Sequence, residues 1–412
     1  MSSELSFAAR IARCFLPFAA GYFLSYAFRT VNAAIGPDLS AELGLQAAAF
    51  GTITSAYFAA FALAQVPLGV ALDRWGPRRT EATMLLFAVA GAVVFALAQT
   101  IPQLAIGRAL IGLGVSACLM AAFKANTMFW PIERLPLANG LLLGFGGLGA
   151  ASATLPVDWL LTMVDWRVVV AGMAALAAAT AAAIWIAAPE PRHPAPGRPL
   201  SNDTLRAQFA GVGLVLRSAV FWRIAPLTVA THATFLAYQT LWAGPHMRDT
   251  QSLARGEVAL GMAIVTGAMA FGYPLLGALA DWLNRRYALA TQRVFGIYGA
   301  LFVLAQVPLA LGMAQGGPYL QWGLFGFLGC GTILGYAALT QSFPAALAGR
   351  VNATLNLFVF GSAFVFQAGI GAILAGLGNN HAGHATAFAL VIALQIASWL
   401  WFMLPRNART VL

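Results

Sequence analysis

The sequence predicts an all-α membrane protein of twelve transmembrane helices in two six-helix halves. Three observations predict it. Of 412 residues, 60% are hydrophobic and 9% charged, and the mean hydropathy is +0.78. A soluble domain carries about 25% charged residues, so this chain has too few to cover a water-facing surface. Apolar segments of about the 20 residues needed to cross a bilayer occur twelve times. Finally, the charged turn Gly69-Val70-Ala71-Leu72-Asp73-Arg74-Trp75-Gly76-Pro77-Arg78-Arg79 returns half a chain later as Gly277-Ala278-Leu279-Ala280-Asp281-Trp282-Leu283-Asn284-Arg285-Arg286.

The segments lie near 14–35, 49–71, 80–99, 103–126, 137–160, 167–188, 220–243, 257–279, 288–312, 318–341, 351–376 and 385–404. Arg10 and Arg13 precede the first, but it runs on to Ile35. Signal-peptide cores are shorter, about 7–15 residues, so it reads as an uncleaved first span. The loops alternate in charge. One set holds Arg74, Arg78, Arg79, Arg134, Arg285, Arg286, Arg350, Arg406 and Arg409; the other holds Asp38, Glu42, Asp165 and few bases. Basic loops stay cytoplasmic, which places both termini there and accounts for the net charge of +10 without a nucleic-acid partner. The polar stretch from Pro189 to about Arg217 opens Pro-Glu-Pro-Arg-His-Pro, which no regular helix accommodates. It reads as a cytoplasmic linker. The expected division is therefore residues 1–188, linker 189–219, and residues 220–412. Pro102-Gln103-Leu104 and Pro318-Tyr319-Leu320 open spans four and ten, and Gly112-x-Gly114 recurs as Gly329-x-Gly331. Small residues let helices approach closely in lipid.

The pattern Gly-x-x-x-Asp-Arg-x-Gly-x-Arg-Arg resembles the loop between the second and third helices of the major facilitator superfamily. That resemblance implies its fold: two six-helix halves, a mid-membrane substrate site, and access that alternates by rocking. In that family this loop gates. Gly69, Asp73, Arg74, Gly76, Arg78 and Arg79, with Asp281 and Arg285 in the second copy, are therefore the expected gate, joined by Glu133-Arg134.

Ionisable residues inside a span are costly and mark function by default. Tyr22, Ser25, Tyr26, Arg29 and Asn32 recur at steps of three or four, on one helix face. Arg29 either lines a cavity and holds an anion by paired hydrogen bonds, or snorkels outward or pairs with an acid between helices. Tyr26-Ala27-Phe28-Arg29-Thr30-Val31-Asn32 resembles the first helix of the anion:cation symporter branch, whose arginine binds carboxylate or phosphate. Arg108, in Arg108-x-x-x-Gly112-x-Gly114, resembles the family's fourth-helix motif and is the expected second anion ligand or coupling switch; the competing reading is a buried ion pair. The branch usually places a glutamate seven residues later, where this chain has Val115. Asp158 is then the expected proton-coupling acid, weighed against a plain loop-edge carboxylate, and no other first-half acid suggests itself. Phe325 stands at the position matching Arg108 in the second half, so the cationic site is one-sided. Lys124 points away from Arg108 and reads as a snorkelling residue, the alternative being an inner-cavity charge that meets the substrate on release. In a segment that also holds Thr231, Phe235 and Trp242, His232 is a candidate that titrates near neutral pH, weighed against a hydrogen-bonded packing residue, and Tyr238 and Gln239 are candidates for the uncharged wall of the site, followed by Asn356 and Gln367.

Three buried-segment cysteines, Cys14, Cys118 and Cys330, share no short spacing and exclude a disulfide framework. No Gly-x-x-x-x-Gly-Lys-Ser/Thr loop is present, so an ion gradient supplies the energy. No enzyme activity and no cofactor are expected. The expected protein is a monomeric, multi-pass transporter of the bacterial inner membrane that takes up a small organic anion of carboxylate type with protons. Efflux of a drug or metabolite in exchange for protons is the alternative; it would ordinarily bring a Gly-Pro kink in span five, which Gly140-Leu141-Leu142-Leu143-Gly144 lacks. Import of a transition metal through His246, Met247, His381, His384, Cys118 and Met120 is a weaker one, because these residues are scattered.

Overall fold

A computed structural model describes residues 7–131, 134–189, 205–313, 317–344 and 347–404. Within them every regular element is helical. Eleven helices are long and apolar enough to cross a membrane, and a twelfth span is reached when two segments meeting at 89°, Ala210–Arg217 and Ala219–Gln251, are counted as one. Glu133, Arg406, Arg409 and linker residues 190–204 lie outside the described residues, as does the Asp73 side chain.

Local chemistry sets the helix boundaries. The first span, Phe7–Leu43, contains a π-helical turn at Ile11–Phe15. The second and third spans form one helical run, Ala47–Ala96, broken at Gly76 (φ 76°, ψ 171°). That backbone conformation is essentially reserved for glycine, and Pro77 follows with no N–H to offer the preceding turn. The Thr80 hydroxyl donates to the Ala71 carbonyl at 3.1 Å and ties the two sides of the break together. The second copy of the turn folds differently. Its helix, Arg255–Tyr287, continues past Asn284, the position matching Gly76, and ends at Ala288 in the left-handed conformation (φ 51°). Lacking the glycine, the chain extends one further helical turn before reversing.

The fourth span, Ile101–Phe129, starts where Gln103 Oε1 accepts from the Gln99 and Thr100 backbone N–H groups at 2.8 and 3.1 Å. These are donors the helix itself leaves unsatisfied. The fifth span, Ala138–Leu160, consists of the helix Leu135–Ser152 from Ala138 on and a short helix, Leu155–Leu160. The sixth, Trp166–Ala187, is capped by the Asp165 carboxylate, which accepts from the Arg167 N–H at 2.8 Å. A short helix, Leu205–Arg217, precedes the seventh span, whose π-helical turn is Tyr238–Trp242. Spans nine to twelve include Thr291–Ala310, Tyr319–Gln341, Ala348–Leu377 and His381–Met403.

The chain forms two compact units, Met1–Leu43 with Ala56–Gln208, and Gly44–Ser55 with Phe209–Leu412. The boundary differs from a clean division at the linker, because the first part of the second span, up to Ser55, joins the second unit. Small residues allow it. A Cβ on Gly51 would stand 2.9 Å from the Gln367 carbonyl and 3.1 Å from the Trp242 ring.

Within the first unit, the fourth span packs on the second and third through its glycines. A Cβ on Gly112 would lie 2.2 Å from the Tyr57 carbonyl, and one on Gly114 2.2 Å from the Ala88 nitrogen. At one end of this unit, Arg167 Nη1 pairs with Glu42 at 2.6 Å, Trp166 Nε1 donates to the same carboxylate at 2.7 Å, and Arg167 Nη2 donates to the Ala98 carbonyl at 3.1 Å. The bridge ties the end of the first span to the start of the sixth and to the turn after the third.

Gly112→Val is expected to destabilise this unit by about 1–3 kcal/mol or more, the usual cost of overpacking. Gly140→Ala, where a Cβ meets nothing within 4 Å, is expected to leave stability unchanged. Thermal unfolding followed by monodispersity in detergent checks both; equal behaviour of the two variants would show that the close approach is not limiting.

Candidate functional site

The helix face read in the first span is buried. Ser25, Tyr26, Arg29 and Asn32 are all under a tenth exposed, with Arg29 at 4%. The Arg29 guanidinium lies over the Tyr26 ring at 4.5 Å, over Phe61 at 5.4 Å and over Tyr57 at 5.9 Å, and its Nε donates to the Tyr57 hydroxyl at 3.5 Å. Aromatic faces attract a guanidinium most strongly where water is excluded. The Tyr57 hydroxyl donates in turn to the Ser25 carbonyl at 3.4 Å.

Arg108 reaches the same ring from the fourth span. It is 2% exposed, and its guanidinium carbon lies 5.2 Å from the Tyr57 centroid. Nη1 donates to the Phe28 carbonyl at 2.8 Å, whereas Nε has no hydrogen-bond partner. No carboxylate lies within ion-pairing distance of Arg108 among the described residues. Two buried cations from spans one and four therefore bracket one tyrosine from span two. Removing charges from water is expensive unless other groups replace the hydration. Here four aromatic rings, those of Tyr26, Tyr57, Phe61 and Phe95, with a hydroxyl and a carbonyl, do part of that, and the Arg108 Nε is left over. An anion is the chemical complement of the arrangement.

Tyr57 was not identifiable as a member of this site from the sequence. It sits in Ser55-Ala56-Tyr57-Phe58, an apolar stretch where an aromatic residue reads as packing. Its role depends on Gly112, which brings the fourth span against the Tyr57 backbone.

Asp158 lies on the short helix Leu155–Leu160, past the end of the fifth span's main helix, and is half-buried. Lys124 donates from Nζ to the Leu72 carbonyl at 2.8 Å, near the C-terminal end of the second span. The expectation that Asp158 is the single acid available in the first half needs correction. Glu81, at the start of the third span, is 0% exposed. It follows Arg78-Arg79-Thr80 directly and so reads, in sequence, as one more charge of an interfacial loop. The break at Gly76 puts it instead on a helix already turned into the bundle.

The second-unit candidates do not form one group. Tyr238 is fully buried and stacks on Phe388 at 4.0 Å, in a cluster with Trp322 and Phe325. His246 borders that cluster, with its ring 5.3 Å from Phe388 and 5.2 Å from His384. Phe325, which matches Arg108 in the repeat, is 0% exposed. His232, two turns below, is half-buried and packs against Tyr336 at 5.7 Å. Gln239 is buried on the π turn. The neighbouring Thr240 accepts from Gln367 Nε2 at 2.7 Å, and Trp242 Nε1 donates to the Gln367 carbonyl at 3.1 Å. Asn356 accepts from the Tyr336 hydroxyl at 2.7 Å. The dispersed His, Met and Cys residues assemble no group of three or more His, Cys, Asp or Glu able to hold a metal among the described residues.

Of the gate residues, Gly76 forms the break and Gly69 lies within the helix before it. Arg74 is exposed beside Trp75, Arg79 is exposed, and Arg78 lies over Trp185 of the sixth span at 5.5 Å. In the second copy, Asp281 accepts from Arg285 one turn on, with both exposed.

Comparison with known proteins places this arrangement in a family. The hexuronate transporter of Escherichia coli (strain K12) is 29% identical over 219 residues, half of each chain; this chain thus aligns with about half the length of that relative. A nitrate/nitrite transporter of Picosynechococcus is 30% identical over 130 residues, 32% of this chain and 24% of its own. A chloramphenicol resistance protein of Streptomyces lividans is 27% identical over 382 residues, 91% of this chain and 94% of its own. Among solved structures, a point mutant of the nucleoside transporter NupG superposes with a TM-score of 0.72 at 14% identity, covering 95% of this chain and 99% of its own. A D-xylose-proton symporter does so with 0.71 at 13%, covering 97% and 98%. At these identities the structures speak for the fold alone. The family model of the Major Facilitator Superfamily matches residues 18–368, and the chain belongs to that superfamily of membrane transporters.

Proposed function

We propose that this protein takes up a small organic anion of carboxylate type together with protons, by alternating access between two six-helix halves. The observation that carries the reading is Arg108. It is buried, has an Nε without a hydrogen-bond partner, and shares the Tyr57 ring with Arg29. A guanidinium presents its donors in a fork that matches a carboxylate. The substrates named for the hexuronate, nitrate/nitrite and sulfoacetate transporters are all anions, which supports a cationic binding site in this chain too.

In this reading Arg29 and Arg108 hold the charged end of the substrate. Tyr26 and Asn32 shape the pocket from the first helix. The Gly76 turn and its arginines act as the gate: a helix break fixed by one glycine is a natural place for two helices to change their relation. The protein works as a monomer in the bacterial inner membrane with both termini in the cytoplasm.

A second reading, proton-driven export of a drug or metabolite, is favoured by the similarity to the chloramphenicol resistance protein along nearly the whole chain. Transport direction separates the two. Proteoliposomes with an inward proton gradient are expected to accumulate hexuronates and other carboxylates, and Arg108→Gln is expected to raise the half-saturating concentration by at least about tenfold, since a charge-assisted hydrogen bond contributes about 1.5–3 kcal/mol. Arg29→Gln is expected to do the same. Unchanged transport of every accumulated solute in both variants would refute the anion site, and accumulation of neutral amphenicols only in the opposite gradient would establish export. Tyr57→Phe, which removes the hydroxyl accepting from Arg29, is expected to lower thermal stability by about 1 kcal/mol and to weaken binding less than either arginine change.

A further inference from the structure

Glu81 is a buried carboxyl without a countercharge among the described residues. Neither of its oxygens has a hydrogen-bond partner of ordinary strength, and the polar group against it is the Cys118 thiol of the fourth span. The first span makes room for it. A Cβ on Gly21 would fall 2.1 Å from Glu81 Oε1 and 3.8 Å from Cys118 Sγ, so a glycine notch in one helix accepts the carboxyl of another. The remaining titratable groups nearby are Tyr22 and Arg29 of the first span, which interact with Cys118. On its own helix Arg79 and Arg78 lie two and three residues earlier, at the membrane edge, with Arg78 engaged by Trp185.

The position of this carboxyl relative to the arginines is set by one helix. Gly21, Ser25 and Arg29 follow one another at four-residue steps, so the notch lies about 12 Å below Arg29 along one row of the first span. Polar groups occupy the interval. Ser25 Oγ donates to the Val115 carbonyl at 3.4 Å, and its own carbonyl accepts from the Tyr57 hydroxyl, which in turn accepts from Arg29. The buried acid and the buried cations are thus two ends of one polar strip on helices one, two, three and four of a single unit.

We propose that Glu81 carries the coupling proton. An isolated carboxylate in this surrounding would be strongly disfavoured, so the closed notch holds the neutral acid. When helices one, three and four separate enough for water to reach the notch, the O–H bond breaks and the proton passes to water. The resulting carboxylate takes a proton back from hydronium before the notch can close again. Closure of the notch thereby requires a proton, as occupancy of the arginines requires an anion, and the shared first helix links the two. This assignment rests on proton-coupled anion uptake as the function.

The test uses the full-length protein in proteoliposomes with D-glucuronate as the probe, read in two modes. Glu81→Gln retains the shape and neutrality of the protonated acid, so the fold is preserved. It is expected to abolish accumulation driven by a proton gradient, to remove the pH dependence of transport, and to keep glucuronate exchange at equal pH on both sides. Glu81→Asp is expected to restore part of the driven accumulation. Driven accumulation at the wild-type level in Glu81→Gln would overturn the assignment, and so would loss of both modes in a variant that remains monodisperse, which would indicate a structural role. Infrared difference spectra over a pH titration provide a readout that needs no substrate. The wild type is expected to show a protonated-carboxyl band missing from Glu81→Gln, and absence of any difference would also overturn the assignment. Failure of the wild type to exchange glucuronate or any other carboxylate, with that band present, would instead count against the anion reading alone.

Discussion

The contact between Gly112 and the Tyr57 backbone is the constraint on which the cationic site depends. A side chain at Gly112 would stand 2.2 Å from the Tyr57 carbonyl, so only glycine lets the fourth span come so near the second. Arg108 lies one turn from Gly112 on the same face. The close approach therefore delivers its guanidinium to the Tyr57 ring and its Nη1 to the Phe28 carbonyl. Arg29 arrives at the same ring from the first span. In a bilayer, where apolar surface gives no net drive for one helix to prefer another, packing and polar contacts decide association. Here one glycine supplies the packing and two arginines with a tyrosine supply the polar contacts.

The two units treat the same repeat differently for physical reasons. In the first, the fourth span brings a cation to the interior; in the second, the matching position is Phe325, packed with Trp322, Tyr238 and Phe302. An aromatic cluster needs no hydration, and a guanidinium does. The first unit therefore carries hydroxyls, carbonyls and an unpartnered donor around Arg108, and the second can close on itself. The duplicated turn diverges as well: Gly76 permits an immediate reversal, whereas Asn284 leaves the helix to run on to Ala288. The local Asp281–Arg285 pair in the second copy is exposed on both sides, and such pairs contribute little to stability.

Much of the site was legible because lipid makes polar residues conspicuous. Arg29 and Arg108 stand out in apolar segments, and helical spacing put Tyr26 and Asn32 on the Arg29 face. Residues whose environment is set by another helix were not legible. Tyr57 reads as ordinary packing until Gly112 places a cation beside it. Glu81 reads as a loop charge until the Gly76 break shows that its helix has already begun. Asp158 falls within the fifth span, as the sequence led one to expect, but the helix breaks after Ser152 and the residue lies on the short second helix, a break that apolar periodicity does not register. Tyr238 and His232 share one segment of sequence, yet the π turn and the surrounding aromatics direct them to different neighbours.

The sequence by itself determined the fold class, the approximate spans, the internal repeat and the presence of two costly cations in the first half. Each follows from local composition and from the absence of water to satisfy backbone or charge in the bilayer. Only the tertiary structure decided that the cations meet at Tyr57, that the first part of the second span belongs with the second unit, and that a carboxyl is sealed against Gly21. Those outcomes depend on how closely particular helices approach. In this chain that distance is set by single glycines whose partners lie far away in sequence.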